Sequence, residues 1–415
     1  MRKECTIFVG ENPIEVGKLS YEKKGQKSTS AFLYSDSWLR NPDQFALSPD
    51  LPLISGYQFH TARTSDESSF FACFSDIEPD GWGKMVIQRD FAKQRKDGAS
   101  NQRATALLDD FDYLMWIGDF SRIGAIRLKD SEGIFQRRVD HKRQIPPLLE
   151  LPQLLRASKA IEENQETLKD LEYLRGVGTS LGGLRPKCSI IDAEGNLSIG
   201  KFPSVGDTRS IVHGEVLALH LAKRCGIDSA GSQVVDSDGI PVALIKRFDR
   251  DGPKRLMYLS ANSLLQAKSN QQYTYEDIAS LIRTISPRAK YDLGQLWRRM
   301  IFNILINNVD DHLKNHGFLH TTGDQWVLAP AFDLNPFPDK MRALKTWISQ
   351  ESGEFASLDA GLAISKSFEL PNAEAKAILS EMRLVISKWK SLAQNLGMNA
   401  QDIDQYAPAF EYQEP

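Results

Sequence analysis

Asn308-Val309-Asp310-Asp311-His312-Leu313-Lys314-Asn315 is the stretch on which the reading of this 415-residue chain turns. It follows an apolar, helix-like run, Met300-Ile301-Phe302-Asn303-Ile304-Leu305-Ile306, and leads into the apolar pair Phe318-Leu319. Two carboxylates, an imidazole, an ammonium and an amide set between apolar segments are costly to bury unless they are paired or put to use. Asp310 stands five residues before Asn315, and that spacing is the first constraint on any chemistry.

Downstream, Gly317-Phe318-Leu319-His320, a turn at Thr321-Thr322-Gly323-Asp324, and Gln325-Trp326-Val327-Leu328 read as a hairpin. It delivers Phe332-Asp333, so the carboxylate of Asp333 is brought back towards Asn315. Two converging oxygen donors suit magnesium, which takes few protein ligands beside phosphates and water.

Upstream, Gly178-Thr179-Ser180-Leu181-Gly182-Gly183-Leu184-Arg185-Pro186-Lys187 is a Gly-rich loop that feeds a second hairpin, Cys188 to Ile191 and Leu197 to Phe202. Glycines permit close approach of the backbone, whose N–H groups can surround phosphate oxygens. Lys201 ends the returning strand, where a fixed ammonium could meet those phosphates; the alternative is a surface lysine on an edge strand. A helix from His213 to Cys225, closed by Gly226, puts Glu215 14 residues after Lys201, in position to orient the lysine. The strands Gln233-Val234-Val235 and Pro241 to Arg250 follow.

The rest of the chain is ordinary in composition. Hydrophobic residues at 41% and charged residues at 25% describe a globular protein with room for two or three domains. A net charge of −3 gives no global reason for nucleic-acid binding. Cys5, Cys73, Cys188 and Cys225 lie far apart, which argues against a disulfide framework or a cysteine zinc site and fits a reducing cytoplasm. The first residues lack the apolar core of a signal peptide, and no run approaches the roughly 18 apolar residues of a membrane span. The expected location is the cytoplasm, with no membrane partner.

Residues 1–105 read as short strands and turns, with a helical pattern after Trp82. A buried helix is expected over 106–120, a strand over 124–128, and a helix from Leu151 to about Arg175. Arg137, Arg138, Lys142 and Arg143 read as a solvated linker. Beyond Leu256 the pattern is helical, ending in a helix from Ala373 to Leu396.

Three chemistries compete for these residues. Gly178-Thr179-Ser180-Leu181-Gly182 satisfies G-x-S-x-G, but a nucleophile elbow needs a strand before the serine and a helix after it; here a proline and a hairpin follow. His312 and His316 are four apart, as two metal ligands on a helix are, yet Gly317 and its strand end any helix there. Phosphoryl transfer asks for a phosphate-cradling loop, a lysine, a base and two magnesium ligands. The chain offers all five in order. The Asp310–Asn315 spacing is that of the protein-kinase catalytic loop, in which the Asp receives the hydroxyl proton and the Asn holds a magnesium ion.

These stretches resemble the HipA family of bacterial serine/threonine kinases, the toxins of two-gene toxin–antitoxin modules. The resemblance is carried by Ser180 to Lys187, Lys201-Phe202-Pro203, Lys246-Arg247-Phe248-Asp249-Arg250, Asp310 to Asn315 and Phe332-Asp333. Leu47-Ser48-Pro49 and Pro79-Asp80-Gly81-Trp82-Gly83 resemble the family's N-terminal domain. The implied fold is α+β and protein-kinase-like, bilobal, with a β-rich N-terminal part and a mostly helical C-terminal lobe. The expected domains are 1–105, a small lobe over 106–250, and a helical lobe over 251–415.

The resemblance also implies roles. Gly182, Gly183, Leu184, Arg185, Pro186, Lys187 and Lys201 would contact ATP phosphates, and Lys246, Arg247 and Phe248 would hold the adenine. Asp310 would be the base, Asn315 and Asp333 the magnesium ligands, and His312 and Lys314 supports for loop and nucleotide. Ser180 matches an inhibitory autophosphorylation site. Implied partners are a protein substrate such as an aminoacyl-tRNA synthetase and a helix-turn-helix antitoxin (HipB-like), with operator DNA reached only through the antitoxin. The alternative is a catalytically weak, nucleotide-binding co-repressor.

Overall fold

A computed structural model describes residues 2–25, 27–62, 67–79, 81–96, 107–135, 146–174, 177–178, 183–338 and 342–411. Ser180, Gly182 and the basic run at 137–143 lie outside them. The chain divides into two compact units, residues 1–206 with 235–258, and residues 207–234 with 259–415. The expected border near residue 105 thus falls inside the first unit, and residues 207–234 of the expected small lobe belong to the second.

The first unit opens with strands β1 (Arg2–Val9), β2 (Ile14–Lys24), β3 (Lys27–Tyr34) and β4 (Tyr57–Thr61), joined later by β5 (Ile126–Lys129). They form one sheet in the order β4-β3-β2-β1-β5. Side chains alternate across a strand. Accordingly Cys5, Ile7 and Val9 of β1, and Phe32 and Tyr34 of β3, are buried while their neighbours are more exposed. Helix α1 (Gly81–Lys96) and helix α2 (Asp110–Trp116) lie between β4 and β5 in sequence. The helix expected over 106–120 is limited to α2, because Asp109 and Asp112 form a capping box at its start.

A second sheet has the order β6-β7-β9-β8, from β6 (Lys187–Ile191), β7 (Leu197–Lys201), β8 (Ser232–Ser237, which crosses the unit border after residue 234) and β9 (Ile240–Lys246). Helices α3 (Leu151–Glu162) and α4 (Leu168–Leu174) supply Leu154, Ile161, Leu171 and Leu174 to a core shared with Trp82, Cys188, Ile190 and Leu244. The sequence suggested one helix over α3 and α4. Asn164, left-handed at φ 58°, ends the first, and Thr167 caps the second by accepting from Asp170 N at 3.3 Å.

Buried charge then ties the start of this unit to its end. Asp119 receives Arg127 at 2.7 Å and Arg255 at 3.1 Å. Asp249 receives Arg247 at 2.5 Å, Arg250 at 2.7 Å and the Gly124 N–H at 2.7 Å. Arg247 also donates to the carbonyls of Ser121 and Arg122 at 2.6 and 3.1 Å.

The second unit is mainly helical. Helix α5 (Ile211–Arg224) packs against α8 (Asn372–Ile386) and α9 (Trp389–Asn395), which accounts for its membership here. Helices α6 (Tyr275–Ile285) and α7 (Ala289–Leu305) pair, and the strands Gly317–His320 and Trp326–Leu328 form a hairpin after them. The C-terminal helix expected from Ala373 to Leu396 is instead two, α8 and α9, and a further helix follows beyond it. Ser387 and Lys388 separate α8 from α9, Gly397 at φ 84° follows the end of α9, and Asn399 caps α10 (Ala400–Phe410). No helix among the described residues is long and apolar enough to cross a membrane.

Candidate active site

In the second unit the site grows from the end of α7. The helix stops at Leu305, and Asn307 takes the left-handed conformation at φ 54°, which Asn tolerates better than most residues. Asn308 folds back on the last helical turn, its N–H reaching Asn303 O at 2.8 Å and its Nδ2 reaching Asn303 Oδ1 at 3.0 Å. A single 3-10 turn, Leu313–Asn315, completes the loop.

The two adjacent aspartates face opposite fates. The Asp310 side chain is 70% exposed, with Oδ1 3.6 Å from Lys345 Nζ. Asp311 is buried and bonded on every side. Its carboxylate accepts from the Tyr275 hydroxyl and from His316 Nε2 at 2.9 Å, and its carbonyl accepts from Thr346 N at 3.1 Å and Thr346 Oγ1 at 2.7 Å. Tyr275 Oη in turn accepts from Asn303 Nδ2 at 3.1 Å. Burial pushes the Asp311 carboxyl up, but the charge and hydrogen bond of His316 and the Tyr275 hydroxyl outweigh it and hold it below the usual range. Asp311 is therefore the anchor and Asp310 the exposed carboxylate.

Asn315 is buried, and its Nδ2 donates to Asp310 O at 3.3 Å. That contact uses the amide nitrogen, and the amide oxygen is the atom that would serve as a cation ligand. The hairpin closes with Phe318 opposite Leu328 and Ala329 N–H on Gly317 O at 2.8 Å. The returning chain is held at Ala331, which pairs with the Asp228–Ala230 segment through bonds of 2.7 and 2.8 Å. Asp333 follows in the left-handed region at φ 55°, its Oδ1 receiving Asn335 Nδ2 at 3.2 Å. Strain of this kind at a non-glycine residue collects at functional sites. An amide oxygen and a carboxylate are hard donors that fit magnesium.

His312 is half-buried, with Nδ1 buried and without a hydrogen-bond partner, and Lys314 is exposed. The rejected reading of His312 and His316 as metal ligands gains nothing here, since His316 Nε2 is committed to Asp311. Among the described residues no group of three or more His, Cys, Asp or Glu side chains is arranged to hold a metal.

The first unit holds the other candidates. Lys187 and Lys201 are cross-strand partners on β6 and β7, so their side chains share one face of the hairpin. Lys187 is buried, and its Nζ lies against Gly183, where a Cβ would come within 2.5 Å of it. Gly183 has φ 98°, which only glycine adopts readily. Leu184 is exposed, Arg185 half-buried and Pro186 buried, with Pro186 O accepting from Phe202 N at 3.0 Å. Lys246 is exposed at the end of β9 and Phe248 is half-buried. The Arg247 guanidinium is committed to Asp249 and to two carbonyls, so only its main chain is left for an adenine.

Sequence reasoning missed Tyr275, Asn303 and Thr346, which reach the loop from separate segments. The cluster has a measurable consequence. Tyr275→Phe removes a donor from a buried carboxylate and leaves Asn303 without its acceptor. It lowers stability by about 1–3 kcal/mol, read by urea unfolding. A change under about 0.5 kcal/mol would show that the hydroxyl is not part of the anchor.

Residues 7–129 match the HipA N-terminal domain and residues 179–389 the HipA-like C-terminal domain. A Sinorhizobium fredii (strain NBRC 101917 / NGR234) protein named "Putative kinase Y4mE" is 24% identical over 345 residues, 77% of this chain and 74% of that one. A Haemophilus influenzae (strain ATCC 51907 / DSM 11121 / KW20 / Rd) protein named "Putative kinase" is 26% identical over 189 residues, 39% of this chain and 54% of that one. A HipA structure from Shewanella oneidensis MR-1, solved as a toxin–antitoxin complex of HipA, HipB and operator DNA, aligns over 98% of this chain and 95% of its own, with TM-score 0.65 and 18% identity. That likeness bears out the α+β, protein-kinase-like fold, β-rich in its N-terminal part and helical in its C-terminal part. The C-terminal domain match alone takes in half of the sequence, and the chain belongs to the HipA family.

Proposed function

We propose that this protein is an ATP-dependent serine/threonine protein kinase of the HipA toxin type. The observation that carries the reading is the division of labour in the loop. Asp311 is locked into a buried cluster, which leaves Asp310 exposed as a base and Asn315 fixed to its carbonyl. Asp310 accepts the proton of the substrate hydroxyl as the oxygen attacks the γ-phosphorus and the bond to the β-phosphate oxygen breaks. Lys345 Nζ lies 3.6 Å from the Asp310 Oδ1. Lys187, Lys201 and the main chain at Gly183 bind the phosphates. Asn315 and Asp333 would hold magnesium, which neutralises phosphate charge when bound.

The protein substrate is a translation component such as an aminoacyl-tRNA synthetase, whose modification arrests growth in the cytoplasm. The partner is a helix-turn-helix antitoxin, which brings the complex to operator DNA. The Shewanella relative, solved with HipB and its operator, supports that part of the reading. Transfer of label from γ-labelled ATP to protein tests the assignment. Magnesium-dependent ATP binding without transfer to this chain or to any protein of a cell extract would favour the co-repressor instead.

Ser180 is the proposed autophosphorylation site. Intact-mass measurement after incubation with ATP shows one added phosphate, absent in Ser180→Ala. An unchanged mass in an active enzyme counts against that site.

A further inference from the structure

The Gly-rich loop is gripped from outside the kinase-type lobe. Helix α1 lies within the segment matched by the N-terminal domain, yet its first turn is built into the core that also holds Val177 and Cys188. Trp82 is fully buried there with Leu154, Leu171, Leu174, Val177 and Cys188. Its backbone N–H donates to Gly183 O at 3.0 Å. Gly81, at φ 30°, lies so close that a Cβ would fall 2.6 Å from Gly183 O and 2.9 Å from Leu184 Cα. At the other described end of the loop, a Cβ on Gly178 would sit 3.5 Å from the Trp82 indole nitrogen. Gly183 and Leu184 therefore rest on one dipeptide of α1.

We propose that Gly81 and Trp82 are positioning residues for the phosphate end of the nucleotide site. They fix Gly183, against which the Lys187 ammonium lies, so the N-terminal domain sets the affinity for nucleotide phosphates. This rests on the kinase reading above. A methyl group at position 81 has no room without moving main-chain atoms of Gly183 and Leu184, which no rotamer change relieves. The displaced loop loses its contacts to phosphate oxygens, while contacts to adenine and ribose are untouched.

Calorimetric titration of magnesium ATP and of adenosine tests this on the full chain. Gly81→Ala weakens ATP binding by a factor of about ten or more, while adenosine stays within about twofold. Gly195→Ala is the control, since Gly195 is also left-handed, at φ 81°, with nothing within 4 Å of its Cβ position, and it leaves both ligands unchanged. Unchanged ATP affinity in Gly81→Ala overturns the proposal. A variant that loses both ligands alike is resolved by hydrogen exchange at the Trp82 amide of the unaltered protein. ATP slows that exchange and adenosine does not if the clamp holds; equal rates overturn it. An unaltered protein that binds adenosine but not ATP overturns the kinase reading together with this one.

Discussion

Asp310→Asn lowers the turnover of phosphoryl transfer by roughly a hundredfold to ten-thousandfold, with ATP affinity within about twofold of the unaltered protein. Asparagine keeps the shape of the side chain but has no basicity at neutral pH, so the hydroxyl proton has no acceptor. The side chain is 70% exposed and its polar contact is to the equally exposed Lys345, so the fold does not depend on it. Thermal unfolding is accordingly unchanged. Asp311→Asn behaves in the opposite way, because the carboxylate it removes is buried between Tyr275 and His316. A stability loss from Asp310→Asn together with unchanged turnover would exchange the roles of the two neighbours.

Asp249→Ala destabilises the first unit by roughly 3–5 kcal/mol, since removing one member of a buried ion cluster strands the others. Arg247 and Arg250 lose their shared carboxylate, and the Gly124 N–H loses its acceptor. Urea unfolding followed by tryptophan fluorescence reads the loss, because Trp38 and Trp82 are buried in the same unit. A loss under about 1 kcal/mol would mean that the arginines find other partners.

The same residue sets a pH dependence. Burial on its own pushes the Asp249 carboxyl up, but Arg247 and Arg250 outweigh it and hold it well below the usual carboxylate range. A depressed carboxyl contributes stability that is complete above its unfolded value of about 3.9 and is lost as pH falls through the folded value. The unaltered protein therefore loses this stabilisation below about pH 4, and Asp249→Ala lacks that component of the acid transition.

Much of the site was legible because its logic is local. The Asp310–Asn315 spacing, the turn at Thr321–Asp324 and the period-two strands around it lie within one short stretch, and hairpin pairing follows from turn chemistry. The five-residue offset to Asn315 was enough to prefer Asp310 over Asp311 as the candidate base. The anchor of Asp311 was not legible, because Tyr275 comes from a helix 36 residues away and Thr346 from 35 residues beyond. Tyr275 looks in sequence like any first-turn aromatic of an amphipathic helix. The breaks at Asn164 and Ser387 were also missed, since the apolar stripe continues on both sides and tertiary packing decides where each helix ends. The seat of the Gly-rich loop on Gly81 and Trp82 spans about a hundred residues of sequence and leaves no periodic trace.

In the proposed reaction the γ-phosphoryl group passes to a serine or threonine hydroxyl with Asp310 as the base. Phosphoamino-acid analysis after incubation with γ-labelled ATP and magnesium tests it most directly. The unaltered protein yields acid-stable phosphoserine or phosphothreonine, and Asp310→Asn yields almost none. Acid-labile label, no label at all, or equal label in both proteins would contradict it.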